Sequence, residues 1–224
     1  MLKTILIFSL TYFMTIPTAH STPLTIIPLQ QNSGWEVLQY SKIKSNKIEF
    51  TEQGIVIKVS GSASPLIFPL KEPLNIEEIS FSVKIDGDIK LDGKTQGEKV
   101  ADDFVFRLGL VYEGDKTLNF LQRKLAANWI QRLFNLAPKG TGVQNIQFYN
   151  VYSDDRLKDK KRQHPLSDLI EENFVFKKPG NGELTASFKP NQQAKVLALW
   201  ISSDGDDSGS RFQVSIKEIT ITAK

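Results

Sequence analysis

Along most of the chain, apolar and polar residues alternate one for one. Ile79, Phe81, Val83 and Ile85 are interleaved with Glu78, Ser80, Ser82 and Lys84. Phe104, Phe106, Leu108, Leu110 and Tyr112 form a second, longer alternation. Successive side chains of a strand point to opposite faces, so each pattern predicts a strand with one face on a core. Shorter stretches predict strands at 35–40, 47–50, 55–59, 64–68, 143–151, 173–176 and 184–188. The run VLALWI at 196–201 is apolar at every position and fits a central strand covered on both faces. In the last stretch, Phe212, Val214 and Ile216 share one parity, while Ile219 and Ile221 share the other. A bulge near Lys217–Glu218 would bring them back to one face.

One segment breaks the two-residue period. In TLNFLQRKLAANWIQRLFNLAP, residues Leu118, Leu121, Leu125, Trp129 and Leu133 recur at helical spacing, with Ala126, Ile130 and Phe134 beside them. Arg123, Lys124, Asn128, Gln131 and Arg132 fill the opposite face. This predicts one amphipathic helix over about 117–137, capped by Thr117 or Asp115 and ended by Pro138 and Gly140. Two polar stretches, 86–98 and 152–173, read as loops, the second with a short helix over 167–172. Many strands and one helix predict a mainly β fold, a two-sheet jelly-roll-type β-sandwich with an inserted helix.

Length fits a single domain, since 224 residues suffice for one sizeable core. The N-terminus changes its boundaries. Lys3, the apolar stretch 5–14, Pro17 and Ala19-His20-Ser21 have the order of a cleavable signal peptide. The expectation is removal of 1–21 and a β-sandwich domain over 22–224. The apolar run is shorter than the roughly 20 residues that a membrane span needs. The chain has no cysteine, hence no lipobox and no disulfide framework. A periplasmic or secreted protein without a transmembrane anchor follows. The formal charge is +3, with Lys3 in the leader, so charge gives no case for nucleic acid.

Several stretches occur together in a recognisable order: GWEVLQY, GIVIKVSGSASPLIFPL, ISFSVKI, ADDFVFRLGLVYEG and ALWISSDGDDSGS. This order resembles a bacterial envelope family, the domain of unknown function 3047. The resemblance implies an envelope protein with a jelly-roll sandwich of the kind that often binds sugars. Its best matches are Ser62-Ala63-Ser64, the pair Asp102-Asp103 before the strand carrying Arg107, and the loop from Asp204 to Gly209. The chain departs from the family where IQFYNVYS lacks a tryptophan and where FQVSIKEITI replaces a Tyr-Gly-Asp-type ending.

The candidate chemistry is concentrated in that acidic loop. Asp204, Asp206 and Ser208, followed by Gly209, reproduce the first half of an EF-hand-like loop, in which alternating oxygens wrap a calcium ion. The twelfth position, which should be glutamate, is Ser215. Three readings stand: a partial calcium site completed by Asp102 or Asp103, a solvated turn, or acceptors for sugar hydroxyls. Arg107 has the parity opposite the phenylalanines, so it faces outward or pairs with Asp103 or an acidic loop residue. The candidate ligand-binding set is Asp102, Asp103, Arg107, Asp204, Asp206, Asp207 and Ser208. Trp200 and Trp35 read first as packing residues, and the basic run 158–162 as a solvated loop. No nucleophilic triad or zinc-ligand pattern is visible. The expected role is non-catalytic binding of a ligand, a glycan or another envelope component. One alternative is an interaction protein using Leu121, Leu125, Trp129 and Leu133 as a membrane or partner face. Another is a glycan-active hydrolase using paired carboxylates.

Overall fold

The computed structural model describes residues 24–165 and 167–224. The expected signal peptide lies outside these residues. The strands run β1 (Leu24–Ile26), β2 (Glu36–Val37), β3 (Lys47–Thr51), β4 (Gly54–Ser60), β5 (Ala63–Leu74), β6 (Ile76–Asp88) and β7 (Phe106–Gly114). After the insertion come β8 (Gly142–Tyr152), β9 (Lys161–Gln163), β10 (Ile170–Lys177), β11 (Gly182–Phe188), β12 (Val196–Asp204) and β13 (Arg211–Ala223). One sheet has the order β11-β6-β13-β4-β3, with β1 also paired to β13. The other has the order β2-β5-β12-β7-β8-β10-β9. The chain passes repeatedly from one sheet to the other, and the two form a jelly-roll-type sandwich. The edges are β11 on one side and β3 and β1 on the other in the first sheet, β2 and β9 in the second.

The main core lies between the sheets. Ile55, Ile57, Phe81, Val83, Ile85, Val214 and Ile216 face Phe106, Leu108, Leu110, Leu199 and Ile201 across it. Except for Leu199 and Ile201, which lie in the uniformly apolar run, these are the residues selected by the two-residue alternation. The register of β13 against β6 shifts between Ile216 and Glu218, so Lys217 takes up the parity change and Ile219 and Ile221 return to the core. A second apolar cluster sits on the outer face of the larger sheet. Ile67, Val111, Ile146, Phe148, Ala198 and Trp200 pack there against Leu133 and Phe134 of the insertion. This explains VLALWI: β12 buries its inner face in the sandwich and its outer face under the insertion.

Four sequence expectations need correction. The insertion contains two short helices, α1 (Phe120–Leu125) and α2 (Asn128–Phe134). Asn119 starts α1 through a reciprocal capping box with Gln122. Ala126 and Ala127 are extended, with ψ of 143° and 151°, and separate the helices. Gln131 Nε2 donates to the freed Ala126 carbonyl at 2.9 Å. Alanine favours helix, so the break follows from packing and not from local preference. It lets α2 turn Leu133 and Phe134 onto the sheet while α1 stays outside. The 167–172 segment is not helical, and β10 begins at Ile170. The strand read at 35–40 shrinks to β2. The basic stretch read as a loop supplies β9, whose Arg162 pairs in register with Glu172 of β10. Among the described residues no helix is long and apolar enough to cross a membrane.

Candidate ligand-binding cleft

Strand register sets side chains in rows on the outer face of the larger sheet. Ile67, Trp200, Gly109, Phe148 and Glu172 form one row across β5, β12, β7, β8 and β10. The next row is Pro65, Ser202, Arg107, Asn150 and Phe174. The first is largely apolar and the second carries charge. Gly109 makes the first row possible, because a Cβ there would lie 2.7 Å from the Phe148 ring. The α2 helix covers the neighbouring part of this face. Between it, the loops at 102–103 and 204–207, and residues His164 and Ser167 lies a cleft of about 310 Å³. Tyr40, Trp129, Phe148 and Trp200 line its aromatic side, and Asp102, Arg107, His164, Asp204, Asp206 and Asp207 its polar side. A groove of about 610 Å³ beside β1 is larger, but it is bordered mainly by Ile26, Phe68, Leu70 and Leu74, with few polar groups converging.

The aromatic side is a chain of edge-to-face contacts. Tyr40 meets Trp129 at 6.0 Å between ring centroids, Trp129 meets Trp200 at 5.9 Å, and Trp200 meets Phe148 at 6.4 Å. Such pairs fix ring orientation beyond what burial alone does. Trp200 is only 2% exposed, whereas Trp129 is partly exposed. The sequence reading of Trp200 as a packing residue is correct, yet its packing makes a cleft floor.

The polar side is a network of charge pairs. Arg107 Nη2 lies 2.8 Å from Asp204 Oδ2 and donates to the Asp102 carbonyl at 2.8 Å. Its Nη1 lies 3.4 Å from Glu172 Oε1. Arg162 Nε lies 2.6 Å from the other Glu172 oxygen, and its Nη2 2.6 Å from Asp102 Oδ1. Asn150 Nδ2 donates to Glu172 Oε1 at 3.0 Å. His164 Nε2 is 3.5 Å from Asp102 Oδ2. Arg107 stacks over Phe104 at 4.3 Å. Glu172 is 1% exposed, so its charge depends on the two guanidiniums and Asn150. Arg107 Nε and Trp200 Nε1 are buried without a hydrogen-bond partner among the described residues.

Burial shapes the titration of this network. Burial disfavours the Arg107 charge, but Asp204, Glu172 and Asp102 outweigh it and raise its pKa. Burial pushes Asp204 well above the usual carboxylate range, against the pull of Arg107. Asp206 and Asp207 are raised as well, first by burial and then by the Asp103 charge. Burial lowers His164, so the imidazole favours its neutral form.

The structure divides the sequence-derived site residues. Asp102, Arg107, Asp204, Asp206 and Asp207 meet at the cleft. Asp103 and Ser208 lie behind it and hold the loop's shape. Asp103 accepts from the Asp207 backbone N–H at 3.2 Å, from the Ser208 N–H at 2.7 Å, and from the Ser208 hydroxyl. The loop is therefore an internally clamped turn whose rim borders a pocket. It does not suit calcium. Asp204 Oδ1 accepts from the Phe104 N–H at 2.7 Å, Oδ2 faces Arg107, and Ser208 Oγ is bonded to Asp103. Among the described residues no group of three or more His, Cys, Asp or Glu side chains could hold a metal ion. The helical stripe also divides. Trp129 and Leu133 pack on the sheet, while Leu121 and Leu125 are exposed.

Sequence reasoning did not find Arg162, Glu172, His164 or Tyr40 at this site. Arg162 and Glu172 lay in a stretch so charged that its alternation was hidden. Their strand positions are the signal that could have shown them.

No protein-family model matches the chain, and no curated protein matches it. Among solved structures the chain is similar to a xylan-binding module, CBM15, at 10% identity, covering 91% of this chain and 97% of that one, with a TM-score of 0.40. It is also similar to a family 11 carbohydrate-binding module from Clostridium thermocellum in complex with a β-1,3-1,4-mixed-linked tetrasaccharide, at 10% identity, 91% and 97% coverage, and a TM-score of 0.45. A family 29 carbohydrate-binding module from Piromyces equi, CBM29_1, gives 9% identity, 92% and 93% coverage, and a TM-score of 0.38. Identity this low transfers no ligand.

Proposed function

We propose that the protein is an exported, non-catalytic binding module of the cell envelope, and that its ligand is a glycan held in the outer-face cleft. The observation that carries this reading is the meeting of an aromatic side (Tyr40, Trp129, Trp200) with partly exposed carboxylates of Asp102, Asp206 and Asp207 in one cleft. A sugar ring has apolar C–H faces and a rim of hydroxyls, and it needs both kinds of wall. At about 310 Å³ the cleft lies at the small end of the ligand-pocket range of roughly 300–1,000 Å³ and fits a chain end better than a long polymer. The leader-like N-terminus and the ordered likeness to an envelope family support the location. Calcium has no part in this reading, because the Asp204 carboxylate and the Ser208 hydroxyl already have protein partners. The hydrolase alternative draws support from the raised carboxyls of Asp204 and Asp206.

The test is electrophoresis through gels containing neutral, amino or acidic soluble polysaccharides, followed by calorimetry on any that retard the protein. At least one class should retard it, and Asp206→Ala/Asp207→Ala should abolish the effect. Retardation by none, with unchanged tryptophan fluorescence in every case, would sink the proposal. Release of reducing sugar from a bound glycan would establish the hydrolase alternative.

A further inference from the structure

A second surface, distinct from the cleft, lies on the insertion. Phe120, Leu121 and Leu125 of α1 are 75%, 63% and 78% exposed. At about 100° per residue, Phe120, Lys124, Leu121 and Leu125 share one face of that short helix. Lys124 lies on this face with its Nζ 4.7 Å from the centre of the Phe120 ring. Large apolar side chains grouped at such exposure leave water in contact with a continuous apolar patch.

The charge around the patch indicates what covers it. Residues 115–142 contain five basic residues and one acid, Asp115. Arg132 is committed to Glu36 at 2.6 Å. Lys116, Arg123 and Lys139 border a single open cleft of about 430 Å³ next to α1. Among the described residues none of these three, nor Lys124, has a carboxylate within ion-pair distance. Arg123 is held instead by Asn135 Oδ1 at 2.7 Å. An apolar face flanked by unneutralised cations is complementary to an anionic lipid surface. There acyl chains receive the apolar residues and headgroup phosphates receive the cations.

We propose that α1 docks the protein on an anionic membrane surface, with Phe120, Leu121 and Leu125 entering the interface and Lys116, Arg123, Lys124 and Lys139 meeting phosphates. Lys124 has the geometry for this. Its stem lies along the apolar face and its ammonium can reach the headgroups. A second protein copy would bring the same cations against one another, so it is disfavoured as the occupant.

The experiment is vesicle flotation of the purified protein. Vesicles of phosphatidylcholine and phosphatidylglycerol in equal parts are compared with phosphatidylcholine alone. Retention on the anionic vesicles should exceed that on the neutral ones by at least about tenfold and fall with added salt. Leu121→Ser/Leu125→Ser and Lys116→Gln/Lys139→Gln should each reduce it by about tenfold or more. All four side chains project from the fold, so melting temperature and circular dichroism should remain at parent values. Equal retention on both vesicle types, or retention that neither double variant changes, would overturn the proposal. So would a dimer in sedimentation that Leu121→Ser/Leu125→Ser disperses while no vesicle is bound. Glycan binding in the cleft is read separately, so either result leaves that question independent.

Discussion

Arg107 and Glu172 come together across the outer face from positions 65 residues apart in sequence, with Arg107 Nη1 3.4 Å from Glu172 Oε1. Neither is stable in that place alone. Arg107→Met leaves Glu172 with Arg162 as its one cationic partner among the described residues, beside the Asn150 amide, and removes the 2.8 Å partner of Asp204. Breaking a buried pair by removing one member typically costs about 3–5 kcal/mol. Urea denaturation should show a loss of that size. A loss below about 1 kcal/mol would mean the pairs contribute only as exposed ones do.

The raised acids make stability depend on pH in an unusual direction. Asp206 binds its proton more tightly in the folded protein than in the unfolded chain, whose carboxyl titrates near 3.8. This linkage supports the fold near pH 4 and is lost as pH rises through the folded pKa. Asp204 and Asp207 act in the same sense. Asp206→Asn removes one titrating group. Its stability relative to the parent should rise from about pH 4 toward pH 8, as measured by denaturation at both. A difference that is the same at the two values would refute the assignment.

Two tryptophans that touch should separate stability from recognition. Trp200→Ala empties a fully packed position and should cost about 3–5 kcal/mol. Trp129 is partly exposed at the cleft mouth. Trp129→Phe keeps an aromatic ring, so its effect on folding should be the smaller. It should weaken glycan affinity by about tenfold, near 1.4 kcal/mol. Calorimetry beside thermal melts distinguishes the two effects. Equal affinity in the Trp129 variant would remove that ring from the site.

Gly109 gives a test of the cleft floor. A Cβ there would lie 2.7 Å from one Phe148 ring atom, 2.9 Å from another and 3.1 Å from an Ile146 methyl. Gly109→Ala should force Phe148 out of its place and destabilise by about 1–3 kcal/mol. Trp200 meets Phe148 edge-on, so its emission should shift in the same variant. An unchanged spectrum with an unchanged melting point would show that the row has slack.

The sandwich was legible in the sequence because one sheet face is wet and the other dry, which writes burial as alternation. Phe81, Val83 and Ile85 show this, and so does the parity that turned Arg107 outward. The acidic loop was legible as a place but not as a device. Nothing in DGDDSG tells which carboxylate clamps the turn and which faces the cleft. That division rests on Asp103, which reaches the loop from over 100 residues away. The outer face of β12 could not be read, since a strand buried on both sides has no alternation. The break at Ala126–Ala127 was hidden because both residues favour the helix that packing interrupts.

The ends of the larger sheet bear on how the protein behaves among its own copies. Its β9 edge is Lys161, Arg162 and Gln163, and its other edge, β2, is two residues long. A neighbour that tried to extend the sheet at β9 would meet lysine charge on the open edge and find Arg162 already tied to Glu172 and Asp102. At β2 it would find too little backbone for a lasting ladder. The arginine that holds the cleft's carboxylates thus also closes a route to strand-by-strand polymerisation. Loss of Arg162 would be felt as aggregation as well as weakened binding.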